Sequence, residues 1–187
     1  MTAVDGIDTA ETRLFAAGSR RERVVDWQAP GPVAQAAAAM SGLDAMRAIR
    51  DGVLPEPPMA RLIDFRLRVA EPGRIVMELQ PHEGLENTIG QLHGATAAAL
   101  LDTAMGCAIS TMLPAGQGAV TLDLKLTYLR PLSVKSGTIS AEGKVMKLGR
   151  RTSYAEGWVR DGAGNIAVHA TATFSMVGEA PGREIAK

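Results

Sequence analysis

The chain has 187 residues, enough for one domain with a sizeable hydrophobic core. Apolar residues make up 46% of the sequence, which excludes disorder over most of the chain. Lysine and arginine total 20, as do aspartate and glutamate, so no overall charge favours nucleic acid or an acidic membrane as a partner.

A single cysteine, Cys107, excludes an internal disulfide and is compatible with a reducing compartment. Within an apolar stretch, a lone cysteine is more typical of packing than of a nucleophile. No apolar run approaches the roughly 20 residues that span a bilayer. The start of the chain, residues 1–12, is polar and acidic, unlike a signal peptide. We therefore expect a cytoplasmic protein without a membrane partner.

The first 58 residues predict helical segments joined by loops. Residues 33–40 are rich in alanine, and four apolar residues recur after them at helical spacing: Leu43, Met46, Ile49 and Leu54. Ser41 or Asp44 is a suitable N-cap for that second helix, and Gly52 can end it. A proline-rich run at 55–58 then breaks the chain. We interpret residues 1–58 as an N-terminal helical extension that covers a surface of the main domain.

Residues 59–178 predict the main domain, and residues 179–187 predict a short C-terminal tail. From Ile63 the apolar period changes from helical to two, which indicates a hairpin of strands at 63–69 and 75–79. Nearly every residue of 95–112 is apolar or small, so a buried helix from about residue 92 to 112 is expected. Four more strands follow. Their predicted inward-facing residues are Leu122, Leu124, Leu126, Tyr128, Ile139, Ala141, Gly143, Val145, Ala155, Gly157, Val159, Val168, Ala170, Ala172, Phe174 and Met176.

The order of these elements is two strands, one long helix and four strands. It predicts an α+β fold in which one antiparallel sheet packs on a single helix. A helix that is apolar nearly all round needs more cover than one sheet face usually supplies. Either the sheet curls round the helix or a second subunit covers the rest.

Asp102 needs an explanation, because a carboxylate inside an apolar helix costs free energy unless it is partnered or used. It can act as a general base on water or attack an acyl carbon itself. Gly94, at the predicted helix start, offers a backbone N–H that can hold an oxyanion, and Asn87 can orient the water or the carbonyl. The alternative is a purely structural Asp102, satisfied by a neighbouring backbone group or an arginine.

Two further groups of polar residues have possible roles. A glycine turn with two arginines, Gly149–Arg150–Arg151, can bind a phosphate through the guanidinium groups. The alternative is that both arginines are simply solvated at a hairpin. The histidines do not form metal-ligand spacing, and we interpret His93 as a structural hydrogen-bonding residue rather than a base.

Three motifs together resemble a known family: Asn87…His93–Gly94…Asp102, the strand at 121–131 (TLDLKLTYLRP) and Gly149–Arg150–Arg151. They look like the hotdog-fold acyl-CoA thioesterases of the phenylacetate-pathway type, in the 4-hydroxybenzoyl-CoA thioesterase-like superfamily. The resemblance covers about residues 54–177. It implies a hotdog fold, in which an antiparallel sheet wraps round one long central helix, and a homodimer or homotetramer with sheets joined edge to edge. One departure is Ala95, which stands where the family has a second glycine.

The resemblance also implies roles for individual residues. Asp102 would be the catalytic carboxylate, Gly94 the oxyanion donor through its backbone N–H, and Asn87 a group that positions water or the carbonyl. The active sites would lie at the dimer interface. The substrate-binding residues would be His93, Thr103, Thr121, Gly149, Arg150 and Arg151, with the arginines near the coenzyme A nucleotide.

The predicted function is hydrolysis of an aliphatic or aryl acyl-CoA thioester to the free acid and coenzyme A. No metal or redox cofactor is implied, since coenzyme A is part of the substrate, and no nucleic-acid partner is expected. A first alternative is a hotdog hydratase or dehydratase, which needs a histidine paired with a carboxylate; here His93 is the only nearby candidate. A second alternative is a non-catalytic acyl-CoA-binding regulatory protein with a structural Asp102.

Overall fold

The structure is a computed structural model, and it describes residues 20–178. The predictions for residues 1–12 and for the tail at 179–187 lie outside the described residues. None of the helices in the described range is long and apolar enough to span a membrane. The helices are α1 (Pro30–Ala38), α2 (Gly42–Arg50), α3 (Pro58–Ile63) and α4 (Gly94–Ser110), with a 3-10 turn at Glu83–Leu85; the strands are β1 (Phe65–Glu71), β2 (Arg74–Leu79), β3 (Gly118–Tyr128), β4 (Ile139–Lys147), β5 (Thr152–Arg160) and β6 (Ile166–Val177).

The six strands form one antiparallel sheet in the order β1-β2-β4-β5-β6-β3, so β1 and β3 are its edges. α4 packs across one face of this sheet and contacts every strand. Its buried residues are Thr96, Ala97, Leu100, Leu101, Ala104, Met105, Ala108 and Ile109. The predicted α+β class, with an antiparallel sheet around one long central helix, is therefore confirmed.

Glycines on the sheet allow α4 to approach it closely. Gly143 on β4 lies against the backbone of Ala104, where an added Cβ would overlap the helix. Gly157 on β5 lies beneath Leu101 and Met105, whose atoms would be 2.9 Å and 3.2 Å from an added Cβ. Both glycines were predicted to face inward. They stand where the helix comes nearest to the strands, which explains why no larger residue occupies either position.

Gly143→Ala should lower the free energy of unfolding by about 1–3 kcal/mol, because overpacking against a backbone cannot be relieved by a side-chain rotation. Urea denaturation measures this change. Gly31→Ala is the matched control, since an added Cβ at Gly31 has no neighbour within 4 Å. Equal stability of the two variants would contradict the close contact between helix and sheet.

The segment before β1 is helical where a strand was predicted, so the prediction for Ile63 and Asp64 was wrong. α3 ends at Ile63, and Asp64 adopts a left-handed φ of 71°. A proline at the first turn favours this helix. Its end is capped from a distance, because the Arg23 guanidinium donates to the carbonyl oxygens of Arg61 and Leu62, at 3.1 Å each. Local alternation of apolar residues cannot reveal such a contact.

A bulge in β3 changes which residues face the helix. The register with β6 shifts between Thr121 and Asp123, which adds one residue to β3 at that point. Leu122, predicted to face inward, is therefore 60% exposed. Thr121, predicted to face outward, instead reaches α4. Beyond the bulge, Leu124 and Leu126 pack against the core as predicted, whereas Tyr128, also predicted to face inward, is 54% exposed.

α2 is attached to the end of the central helix. The Ser41 hydroxyl accepts a hydrogen bond from the Asp44 N–H at 3.2 Å, and Gly52 follows the helix with φ 74°, so the predicted cap and the predicted end are both present. The N–H of Gly42 donates to the carbonyl oxygen of Leu113 at 3.0 Å. This contact ties the start of α2 to the segment just after α4.

Candidate active site

Asp102 lies on α4 with a partly buried side chain, and its one partner is a hydroxyl group. Thr121 Oγ1 donates to Asp102 Oδ1 at 2.8 Å. Within residues 20–178, neither a backbone group nor an arginine bonds the carboxylate, so the partners expected for a purely structural aspartate are not found. The second carboxylate oxygen has no hydrogen-bond partner in that range and is available to a water or a substrate.

Cys107 is on the same helix and is not suited to act as a nucleophile. Burial raises the pKa of its thiol to about 12, and the negative charge of Asp102 adds to the shift. A thiol with such a pKa stays protonated at neutral pH, whereas the thiolate is the reactive form. The packing role predicted for Cys107 is therefore the one its surroundings favour.

The start of α4 presents a free backbone donor. His93 is the N-cap, and its Nδ1 accepts the Ala95 N–H at 3.0 Å, while its carbonyl oxygen accepts the Thr96 N–H at 2.9 Å. The Gly94 N–H has no acceptor in the described part of the chain. It also lies at the positive end of the helix dipole, so it is suited to hold a developing oxyanion.

Asn87 offers a second donor, because the rest of its side chain is already used. Its Oδ1 accepts the backbone N–H groups of Ile89 at 3.0 Å and Gln91 at 3.1 Å. The backbone N–H of Asn87 donates to the Gln91 carbonyl oxygen at 2.7 Å. Two backbone donors fix the oxygen of the amide, so Nδ2 is the group left over. Asn87 can therefore donate to a carbonyl oxygen or to a water oxygen.

A cavity of about 340 Å³ lies at the helix start, and both Gly94 and Asn87 line it. Its polar lining consists of Asn87, Gln91, His93, Gly94, Tyr128 and Arg130, and the rest is leucine, alanine, proline and valine. Sequence reasoning missed Gln91, Tyr128 and Arg130 as lining residues. Tyr128 was interpreted as a core residue, and Arg130 as the end of a strand, because their proximity to Gly94 depends on how β3 crosses α4.

The remaining predicted substrate-binding residues lie outside this cavity. The Thr103 hydroxyl donates to the Ala99 carbonyl oxygen at 2.7 Å, within α4. The Gly149 N–H donates to Ser153 Oγ at 3.2 Å in the β4–β5 turn. Arg150 and Arg151, in the same turn, are exposed. Since β6 pairs with both β5 and β3, this turn lies at the end of the sheet that carries Thr121 and Asp102.

Asp102 and Gly94 are too far apart along α4 to act on one carbonyl group within a single protomer. A helix separates positions 94 and 102 by about 12 Å. A nucleophile and an oxyanion donor must each come within about 3 Å of the reacting group. The Tyr128 hydroxyl donates to the Gly94 carbonyl oxygen at 2.8 Å, whereas Thr121 bonds Asp102. β3 therefore carries one half of the candidate site near each of its ends.

Comparisons of the sequence with known proteins identify its relatives. A family model described as the thioesterase superfamily matches residues 89–168. A Halobacterium salinarum protein whose name describes it as an esterase is 31% identical over 124 residues, which cover 63% of this chain and 80% of the relative. Human acyl-coenzyme A thioesterase 13 is 30% identical over 89 residues, which cover 46% of this chain and 59% of the relative.

Solved structures show the same fold. A phenylacetic acid degradation-related protein of Ralstonia eutropha superposes with a TM-score of 0.64 at 25% identity, covering 71% of this chain and 98% of that chain. A Streptococcus mutans protein bound to acetyl-CoA superposes with a TM-score of 0.57 at 24% identity, covering 62% of this chain and 90% of that chain. The chain belongs to the thioesterase superfamily. The predicted hotdog-thioesterase resemblance and the predicted enzyme class, thioester hydrolase, are confirmed.

Proposed function

We propose that this thioesterase hydrolyses acyl-CoA thioesters at a site shared between two protomers. The observation that carries the proposal is the pair of free donors, Gly94 N–H and Asn87 Nδ2, in one cavity, together with a carboxylate held on the same helix by an edge-strand hydroxyl. The names of the relatives and the coenzyme A ester bound by a structural neighbour support the substrate class.

The chemistry begins with the thioester carbonyl. Its oxygen accepts hydrogen bonds from Gly94 N–H and Asn87 Nδ2, which stabilise the negative charge of the tetrahedral intermediate. Asp102 either removes a proton from the attacking water or attacks the acyl carbon itself to form an anhydride that water then cleaves. In both routes the carbon–sulfur bond breaks, the thiolate of coenzyme A leaves and takes up the proton, and the acid is released. No metal or redox cofactor takes part.

The edge strand β3 supports an assembly of two protomers. Its outer edge has no strand partner among the described residues. Three apolar side chains on or next to it, Val120, Leu122 and Leu129, are 54%, 60% and 57% exposed. An open edge with exposed apolar side chains is a template for pairing with another strand. In a two-fold dimer, β3 pairs with the β3 of the partner in an antiparallel manner.

Side-chain direction restricts the register of this pairing, because opposite residues of an antiparallel pair point to the same face. Leu124 and Leu126 face α4, so Lys125 between them faces outward. A two-fold axis at Lys125 places Leu124 opposite the partner's Leu126. Two partly buried leucines then meet across the interface on the helix side.

The same register completes the site. Beyond the bulged Leu122, Thr121 comes opposite the partner's Tyr128, and both side chains reach groups of α4. Since Thr121 bonds Asp102 and Tyr128 bonds Gly94, one protomer's Asp102 comes beside the partner's Gly94. The dimer thus brings together, from two chains, an Asp102 and a Gly94 that would be too far apart within one chain.

Lys125→Cys should cross-link two chains on mild oxidation, because opposite Cβ atoms on the two-fold axis lie about 4.5–5.5 Å apart, near the separation that a disulfide bridges. Non-reducing electrophoresis detects the product. Thr127→Cys is the matched control, since it faces the same way but lies opposite the partner's Asp123. Cross-linking of the control variant alone would contradict this register.

Arg150 and Arg151 keep their proposed role in binding the coenzyme A phosphates. Their turn lies at the Asp102 end of the sheet in the same chain. The proposed dimer therefore contributes Asp102 and these arginines from one protomer, and the two oxyanion donors from the partner. Binding a phosphate far from the reacting carbonyl affects mainly the KM.

The hydratase or dehydratase alternative needs a histidine paired with a carboxylate, and no such pair is present at His93 among the described residues. His93 Nδ1 already accepts the Ala95 N–H at 3.0 Å, so this nitrogen is occupied as the cap of α4. Taking a proton would therefore cost the helix its cap. The non-catalytic alternative is distinguished from hydrolysis by measuring thiol release and coenzyme A binding in parallel.

Release of free thiol from a panel of acyl-CoA esters tests the proposed function, with coenzyme A binding measured in parallel. We expect thiol release that is saturable in the ester. Binding of coenzyme A esters without thiol release from any of them would overturn hydrolysis in favour of a binding protein.

A further inference from the structure

The candidate active-site cavity contains one cationic side chain that the proposed chemistry does not use. Arg130, just after β3, lines the same cavity of about 340 Å³ as Gly94 and Asn87. Among the described residues of one protomer, no carboxylate lines this cavity. A permanent cation beside two oxyanion donors makes the cavity suited to an anionic ligand.

The Arg130 guanidinium has no hydrogen-bond or ion-pair partner in the described part of the protein. Most other arginines in residues 20–178 bond a carboxylate or a carbonyl oxygen, such as Arg74 with Glu142 at 2.6 Å. The arginines without a side-chain partner there are Arg66, Arg130, Arg150 and Arg151, and of these only Arg130 lines the cavity with Gly94. Its charge is therefore available to a ligand.

The acidic group that interacts electrostatically with Arg130 is already satisfied by its own turn. Asp161, between β5 and β6, accepts hydrogen bonds from the N–H groups of Ala163 and Asn165 and from the side-chain amide of Asn165, at 2.9–3.0 Å. These bonds from Asn165 are the main cause of its lowered pKa, and the charge of Arg130 contributes least. Asp161 is thus committed to the turn and forms no ion pair with Arg130.

The size of the cavity indicates which part of the substrate carries the anion. A carbonyl oxygen at Gly94 and an anion at Arg130 share one cavity of about 340 Å³. The phosphates of coenzyme A are separated from the thioester by the whole pantetheine arm, which would have to fold back on itself to reach Arg130. A carboxylate a few bonds beyond the carbonyl stays within the cavity that Arg130 lines.

We propose that Arg130 binds a terminal carboxylate on the acyl group, so that short dicarboxylic acyl thioesters are the preferred substrates. This inference rests on the proposed function and names its substrate class. The guanidinium forms charge-assisted hydrogen bonds with the carboxylate while the carbonyl oxygen lies between Gly94 and Asn87. Arg130 is thereby a specificity residue, and it takes no part in the chemical step.

Four thioesters test the assignment. Succinyl-CoA and butyryl-CoA have acyl chains of equal carbon number and differ in the terminal carboxylate. The succinyl and butyryl thioesters of N-acetylcysteamine repeat the comparison without phosphates. We expect the wild type to prefer the succinyl member of each pair by at least about tenfold in kcat/KM, since charge-assisted bonds contribute this much or more.

Arg130→Gln should remove that preference. Its kcat/KM should fall at least about tenfold for both succinyl thioesters and stay within about twofold of wild type for both butyryl thioesters, which also shows that the variant is folded. Arg130→Lys should restore part of the preference, because the charge returns without the planar fork. Arg66→Gln is the matched control, since Arg66 also has no hydrogen-bond or ion-pair partner within residues 20–178 but lies on β1, outside this cavity.

Two results would overturn the assignment. An equal loss on both coenzyme A esters, with no change on either N-acetylcysteamine thioester, would assign Arg130 to the coenzyme phosphates instead. Wild-type kinetics of Arg130→Gln on all four thioesters would remove Arg130 from substrate recognition. Both differ from a failure of the proposed function, in which the wild type releases no thiol from any thioester.

Discussion

Replacing Asp102 with asparagine should lower the turnover of acyl-CoA thioesters at least about 100-fold, the lower end of what a positioned general acid–base group contributes. The asparagine keeps the shape of the side chain and an oxygen that can accept the Thr121 hydroxyl bond, which is 2.8 Å long in the wild type. It cannot take a proton from water, and it is a poor nucleophile toward an acyl carbon. Thiol-release kinetics give the kcat and KM of both proteins.

Asp123→Asn is the matched control for this loss. It removes the same charge from the same end of the protein, but Asp123 is exposed and lies on β3 just past the bulge. We expect near-wild-type turnover from it. An Asp102→Asn protein that unfolds like the wild type and retains wild-type turnover would show that Asp102 is not the catalytic carboxylate.

Asn87→Asp should lower kcat by about 10²–10³-fold, the range found when one oxyanion donor is removed. One carboxylate oxygen can still accept the N–H groups of Ile89 and Gln91, which lie 3.0 Å and 3.1 Å from Oδ1 in the wild type. The other oxygen replaces the Nδ2 donor and places a negative charge where the oxyanion develops. Steady-state kinetics at saturating substrate measure the loss in kcat.

Asn87→Ala separates the loss of the donor from the loss of the turn. Alanine removes both the Nδ2 donor and the oxygen that holds the two N–H groups, so it should be less stable than Asn87→Asp in urea. If the turn were the only function of Asn87, Asn87→Asp would keep its turnover while Asn87→Ala lost it. That pattern would remove Asn87 from the oxyanion site.

Local patterns in the sequence were sufficient for the central helix and for the residues that stand out on it. The apolar run predicts α4 to within two residues at each end, because burial of a helix on nearly all sides leaves a strong compositional signal. Asp102 stood out as the one charged residue in that run. The Gly94 N–H follows from the position of the helix start, which is also a local property.

Contacts between distant parts of the chain could not be predicted in this way. The bulge that turns Thr121 toward Asp102 depends on pairing with β6. The contact of Tyr128 with Gly94 joins residues 34 positions apart. Arg130 enters the cavity only because β3 crosses the start of α4. Alternation along a strand gives the face of each residue only until an irregularity shifts it, and it carries no information about what lies opposite.

Residue type alone also suggested binding roles for positions that lie away from the cavity. Thr103 was a candidate because it follows Asp102, but its hydroxyl bonds the preceding turn of α4. Arg150 and Arg151 lie at the other end of the sheet from Gly94. Their role in binding coenzyme A stays a prediction, and in the proposed dimer the Gly94 of the same site comes from the partner protomer.

Mixing Asp102→Asn chains with Asn87→Asp chains tests the shared site most directly. In a mixed dimer, one of the two sites has both wild-type residues, because Asp102 comes from one chain and Asn87 from the other. Random exchange makes half of the dimers mixed, so activity should rise from near zero to about one quarter of the wild-type value. Mass spectrometry of differently tagged chains verifies the exchange. Activity that stays at the level of the two parent variants, despite verified exchange, would contradict the shared site and place Asp102 and Asn87 in the same chain's site.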